Sequence, residues 1–140
     1  MSGNNQSVVT QFFELFGNQH DVDGVDPLFA ANAVIHQDAV PMPLEIDGYK
    51  QVGQSVLQVF PDLKVEIEEQ LVVGDKVVTR VMWRGTHTGT FQGIPPTGRS
   101  FGNRSIVVDH LAEGKIKERW SVSDQVGLMM QLGLIPAPGQ

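Results

Sequence analysis

The chain contains no cysteine. That excludes disulfides, thiolate metal ligands and a cysteine nucleophile together, and it fits a reducing, cytoplasmic location. No apolar run approaches the roughly 18 to 20 residues that a membrane span needs. The opening MSGNNQSVV lacks a basic segment followed by an apolar stretch, so no signal peptide is expected. Basic residues are scarce, ten Lys and Arg against sixteen Asp and Glu for a net charge of -6. They are scattered rather than clustered, which argues against nucleic acid as a partner. No two histidines stand at metal-ligand spacing, and no P-loop, dinucleotide fingerprint or nucleophile-elbow serine is present. Neither a metal nor another cofactor is therefore expected.

What remains is 140 residues, 41% of them apolar, enough for one globular core and no second domain, so residues 1–140 read as a single unit. The first half is helical in pattern. In SVVTQFFELFGN, Val8, Phe12, Leu15 and Phe16 form a stripe at helical spacing, with Ser7 as N-cap and Gly17-Asn18 as the stop. A short helix follows Asp21 or Asp23, AVIHQDA is a brief strand, and Asp47 is placed to cap a helix over GYKQVGQSVLQVF. The second half is strand-like: LKVEIEEQLVV, KVVTRVMWRG, RSFGNRSIVVDHL and KIKERWSVSD, with Gly74-Asp75 and Glu113-Gly114 as turns. QVGLMMQLG is a last short helix. Helices followed by a four-strand meander predict an α+β fold, an antiparallel sheet with helices on one face. Apolar residues of both parities, Val107 and Leu111 against Ile106 and Val108, predict that the uncovered face seats a second copy in a homodimer or higher homo-oligomer.

The least regular segment, GTHTGTFQGIPPTGRSF, joins two long strands. At residues 86–98 it exceeds an ordinary hairpin loop, and its glycines and Pro95-Pro96 mark a shaped, functional connection. Three stretches, VVTQFFELFGNQHDVDGVDPLFAANAVIHQ, FPDLKVEIEEQLVVGDKVVTRVMWRGTHTGTFQGIPPTGR and GKIKERWSVSDQVGLMMQLG, resemble the SnoaL-like polyketide cyclase (ester cyclase) family. The GTHTG-x-F-x-GIPPTG segment is the most distinctive piece. The resemblance implies the cone-shaped α+β fold of nuclear transport factor 2 and ketosteroid isomerase, with a strongly curved sheet around an apolar pocket roofed by the N-terminal helices. It also implies a cofactor-independent intramolecular aldol ring closure of a polyketide-like ester. In that scheme Asp124, in WSVSD, is the general base and acid, and His87 and His36 lie near the pocket.

Read residue by residue, Asp124 has two roles open to it. SDQ before an apolar run is where a helix N-cap belongs. Strand alternation also puts Asp124 on one face with Trp120 and Val122, where desolvation would make it a better base. Glu118 shares that parity and reads as an exposed acid at the strand start. His87 is either a surface loop residue or a donor at the pocket mouth, and His36 either a rim residue or a ligand contact. His20 reads as exposed and His110 as structural. Arg104 and Arg80 are carbonyl holders or surface ion-pair residues, while Trp120, Phe16 and Met82 are candidate pocket lining. The expected partner is a hydrophobic small molecule. The rival functions are a non-catalytic small-molecule binding domain and another enzyme on this fold, an epoxide hydrolase or a hydroxylase-like relative.

Overall fold

The structure, a computed structural model, describes residues 2–136, with side chains from residue 4 onward. The chain begins with helix α1 (Ser2–Phe13), which runs into a π-helical turn over Glu14–Asn18 and then a 3-10 turn over Asp23–Leu28. Strand β1 (Phe29–Gln37) and helix α2 (Ile46–Val59) follow, then β2 (Lys64–Val73), β3 (Lys76–Thr86), β4 (Ser100–Ala112), β5 (Lys115–Ser123) and helix α3 (Gln125–Gln131). The α+β class, the first and third helical segments and the meander β2–β5 are as the sequence predicts, but the short helix expected through VDPLFAAN is a 3-10 turn that ends at Leu28, with Phe29–Asn32 already in β1.

Local boundaries differ from expectation in instructive ways. Ser7 lies inside α1 rather than at its cap, because the helix starts five residues earlier. The π turn begins where the helix must pass its glycine close to the sheet. Gly17 is buried, and a Cβ there would collide with Val65 of β2. Asp47 sits in the first turn of α2, and Glu45 holds the cap position without a side-chain bond. Asp47 therefore acts through its charge at the positive helix end.

The sheet has five strands in the order β1-β5-β4-β3-β2. The expected four-strand antiparallel meander is thus completed by a fifth strand, β1, which pairs in parallel with β5. That pairing joins segments more than eighty residues apart, so it leaves no local turn signature to read. Both predicted turns are present, with Gly74 at φ 59°, Glu113 at 54° and Gly114 at 76°. Alternation then sorts the side chains. Val77, Val81, Val107 and Leu111 point inward, where Val9, Phe12, Phe13 and Phe29 pack on them. Arg80, Arg104, Ile106 and Val122 face outward.

The long connection between β3 and β4 is tied down at both ends. His87 N–H donates to the Arg99 carbonyl and Gly98 N–H to the His87 carbonyl, each at 2.9 Å, which extends the β3–β4 ladder beyond the strands. Thr88 and Gly89 N–H both donate to the Val59 carbonyl, at 3.2 and 3.0 Å, and so satisfy the C-terminal end of α2. Asp62 accepts from Thr86 N–H and Oγ1–H, both at 2.8 Å. The Thr86 hydroxyl bond holds that carboxyl below the usual carboxylate range against the opposing effect of partial burial.

Two expectations follow. A Cβ at Gly89 would strike the backbone carbonyl of Gln58, so Gly89→Ala should lift the loop off α2 and destabilise the protein by about 1–3 kcal/mol, measured by denaturant unfolding. The helices cover only the inner face, leaving Ile106 and Val122 at 51% and 59% exposure beside Trp120. A second copy is expected to cover them. Light scattering at micromolar concentration should give the dimer mass, and a concentration-independent monomer mass would contradict this.

Candidate functional site

The residues that the sequence nominates do not gather in one place. Asp124, Arg104, Met82, Trp120 and His36 project from the outer face of the sheet, whereas His87 and Phe16 belong to the helix-covered side. Asp124 does share a face with Trp120 and Val122, but it is the uncovered one. Its carboxylate accepts from Gly127 N–H at 2.8 Å and caps α3. The desolvation expected of a catalytic carboxylate is not found, since the residue is exposed.

Around Asp124 lies an open hollow of about 380 Å³ lined by Arg80, Arg104, Ile106, Val122 and Ser123. Both guanidinium groups are already engaged by Glu68. Arg104 donates to it through Nε at 2.8 Å and a second nitrogen at 3.3 Å, and Arg80 through Nε at 3.3 Å. The Arg104 hydrogen bond is the main reason the Glu68 carboxyl is held below its ordinary range. Farther across the same face, His36 stacks on Trp120 with centroids 4.7 Å apart and bonds Glu118 at 2.9 Å. Glu118 is therefore a half-exposed partner of His36 rather than a free acid, and Trp120 lines a surface cluster rather than a pocket. His20 is half-buried, not exposed, and ties to the Leu63 carbonyl at 2.7 Å.

His87 departs most from expectation. It is neither a surface residue nor at a mouth: its exposure is 0%. Its Nδ1 lies 3.0 Å from the Thr97 hydroxyl and accepts from Thr97 N–H at 3.3 Å. The Thr97 hydroxyl oxygen meanwhile accepts from Arg99 N–H, also at 3.3 Å. Thr97 N–H can only donate, so Nδ1 must offer its lone pair, and the Thr97 hydroxyl, able to donate or accept, turns its own hydrogen to the same nitrogen. Both groups facing Nδ1 are then donors, so Nδ1 carries the lone pair and the ring proton resides on Nε2. That Nε2 is buried with no hydrogen-bond partner among the described residues. The His87 ring packs beside Phe60, centroid to centroid 6.0 Å, and Phe60 belongs to the apolar cluster of Val59, Leu63, Phe101 and Leu132. Phe16 and Trp83, 5.9 Å apart, border the same cluster.

The rest of the inner face carries a buried ion pair that sequence reading did not single out. Arg119 donates to both oxygens of Asp109, through Nε and Nη2 at 2.6 and 3.1 Å, and to the Tyr49 hydroxyl at 3.2 Å. Its guanidinium lies 3.9 Å from the centre of the Phe12 ring. Burial is the largest single influence and acts to lower its pKa, but the charge of Asp109 and the Tyr49 hydroxyl, with the hydrogen bonds to both, together outweigh it and hold it above its ordinary value. The inward parity of Asp109 and Arg119 on adjacent strands was the available signal. Among the described residues, no group of three or more His, Asp or Glu is placed to hold a metal ion.

Because Asp109 and Arg119 are paired with each other at 0% and 1% side-chain exposure, removing one partner strands the other. Asp109→Leu should lower stability by about 3–5 kcal/mol, measured by chemical denaturation. Joint replacement by Leu and Met should recover much of it, and equal losses in the single and double variants would refute the pairing argument.

Comparison with known proteins agrees with this architecture. The SnoaL-like polyketide cyclase family model matches residues 7–132. Two curated relatives match over 70 residues: the aklanonic acid methyl ester cyclase AcmA of Streptomyces galilaeus, 37% identical, and the nogalonic acid methyl ester cyclase of Streptomyces nogalater, 33% identical. In both matches half of this chain aligns, covering 46% and 50% of the relative, so the alignment spans about half the length of each. Among solved structures, IdmH of Streptomyces antibioticus, a proposed polyketide cyclase, is 32% identical with a TM-score of 0.83, covering 92% of this chain and 98% of its own. AclR of Streptomyces galilaeus, a proposed hydroxylase, has a TM-score of 0.89 at 21% identity over 100% of this chain and 87% of its own, a likeness of fold alone. On the extent of the family match and of the alignment with IdmH, the chain belongs to the SnoaL-like polyketide cyclase family.

Proposed function

We propose that this chain closes a ring in a polyketide-like ester by an intramolecular aldol reaction, with His87 as the hydrogen-bond donor to the oxygen on which charge develops. The observation that supports it is the Nε2–H of His87, buried without a partner among the described residues although its ring is held firmly through the other nitrogen. A buried donor left unpaired costs about 1–3 kcal/mol, a cost that binding a ligand oxygen removes. Donors preorganised in a dry site stabilise a developing oxyanion strongly.

In this reading a carbon between two carbonyl groups gives up its proton and the enolate oxygen accepts from His87. The enolate carbon then bonds to a carbonyl carbon elsewhere in the same molecule, and the resulting alkoxide takes a proton. Substrate and product are isomers. Carbon acids flanked by two carbonyls are acidic enough for solvent to accept the proton once the enolate is stabilised. Every role is filled by the chain, the substrate and water.

A second reading makes Asp124 the base in the outer hollow, with Arg104 and Arg80 holding carbonyl oxygens; their convergence there is what favours it. The two readings use opposite faces of the sheet, so two variants separate them. His87→Asn keeps an acceptor for Thr97 but removes the Nε2 donor, and should lose about 10²-fold or more in kcat with a modest change in melting temperature. Asp124→Asn retains a good N-cap, worth within a few tenths of a kcal/mol of the original, and should turn over at close to the wild-type rate. The converse result, activity lost in Asp124→Asn by about 10²-fold and kept in His87→Asn, would establish the outer hollow instead. Tight ligand binding with no turnover in the wild type would identify a binding domain.

A further inference from the structure

His87 Nε2 is one of two buried side-chain atoms with no partner among the described residues; the other is Asn103 Oδ1. Asn103 is only 8% exposed. It lies in β4 between Phe101 and Ser105 on the inward parity, opposite Trp83 of β3. Asparagine is among the poorer strand residues. Here its side chain makes no hydrogen bond to another described residue, whereas its inward neighbour Ser105 bonds Ser123 at 2.6 Å. Valine or leucine would suit both the strand and the surroundings. A residue that breaks the local rule with no compensating contact is the mark of a functional position.

We infer that Asn103 is a second polar pole of the ligand site and recognises a hydroxyl group on the ligand, an inference that rests on the reading of His87 as the first pole. The environment of the two poles is aromatic: Trp83, opposite Asn103, packs on Phe16 with centroids 5.9 Å apart, and Phe60, beside His87, packs on Phe101 with centroids 4.6 Å apart. A planar aromatic compound with a carbonyl and a separate hydroxyl matches it. The carbonyl oxygen accepts from His87 Nε2–H, and the hydroxyl donates to Asn103 Oδ1. A half-turn of the Asn103 amide presents Nδ2 instead, from which the same hydroxyl accepts, so a hydroxyl satisfies either orientation. Asn103 thereby selects among ligands.

The test combines stability without ligand and binding of four compounds: naphthalene, a naphthol, an acetylnaphthalene, and an acetylnaphthol with its two substituents on opposite rings. Removing a buried amide oxygen that has no partner should raise the melting temperature of Asn103→Leu or Asn103→Val by about 2–4 °C, whereas a structural asparagine would melt lower when replaced. In wild type, adding the hydroxyl to acetylnaphthalene should tighten binding by about tenfold, and this gain should vanish in both Asn103 variants. The gain from the acetyl group should persist in those variants and vanish in His87→Asn. A hydroxyl gain that survives in both Asn103 variants, a lower melting temperature in both, or no binding of any compound to wild type would each overturn the proposal. If the acetyl gain survives in His87→Asn while the hydroxyl gain is lost with Asn103, the His87 reading fails and the assignment of Asn103 stands.

Discussion

An imidazole ring has two nitrogens, and in this fold one of them is committed. The Thr97 hydroxyl and backbone N–H both point at His87 Nδ1, which clasps the β3–β4 connection across its base. Loop path, ring orientation and tautomer all follow from that clasp. Because Nδ1 must accept, Nε2 must donate, and the surrounding cluster of Phe60, Phe101 and Leu132 offers it nothing. An unpaired donor in a low-dielectric interior is costly to the empty protein and valuable to a ligand, since the penalty disappears on binding.

The loop that makes this arrangement also stabilises its neighbours. It supplies two N–H groups to the last carbonyl of α2, which would otherwise end without backbone partners, and Asp62 fastens its entry. The inner face has a second polar anchor in Arg119 and Asp109, packed on Phe12. Unlike His87, that pair is internally satisfied, so it organises the core without presenting a free group. In the proposed reading, the contrast between a closed polar pair and an open polar atom distinguishes scaffold from site on this face.

Much of the fold was legible because it is written locally. The helical stripe of Phe12 and Phe16, the Gly74-Asp75 and Glu113-Gly114 turns and the alternation of β3 and β4 are all period or turn signals within a few residues. The parallel seating of β1 against β5 was not, since it depends on contacts remote in sequence. The site was less legible for a related reason. Alternation correctly grouped Asp124 with Trp120 and Val122, but parity gives two faces without saying which one the helices cover. His87 was found through its unusual loop, yet its burial depends on α2 docking against that loop. Asn103 carried a readable clue, an asparagine at an inward strand position, that gains meaning only once its lack of partners is known.

The central claim is that Nε2 of His87 carries the proton and stands available to a ligand. The most direct measurement is nitrogen-15 NMR of the histidine side chains near neutral pH, using two-bond proton–nitrogen correlations to identify the tautomer. The account predicts an unprotonated Nδ1 and a protonated Nε2 for His87 in the free protein. It also predicts that the Nε2 proton moves downfield when an acetyl-bearing aromatic compound binds. A protonated Nδ1, or an Nε2 proton unaffected by a ligand that demonstrably binds, would contradict it.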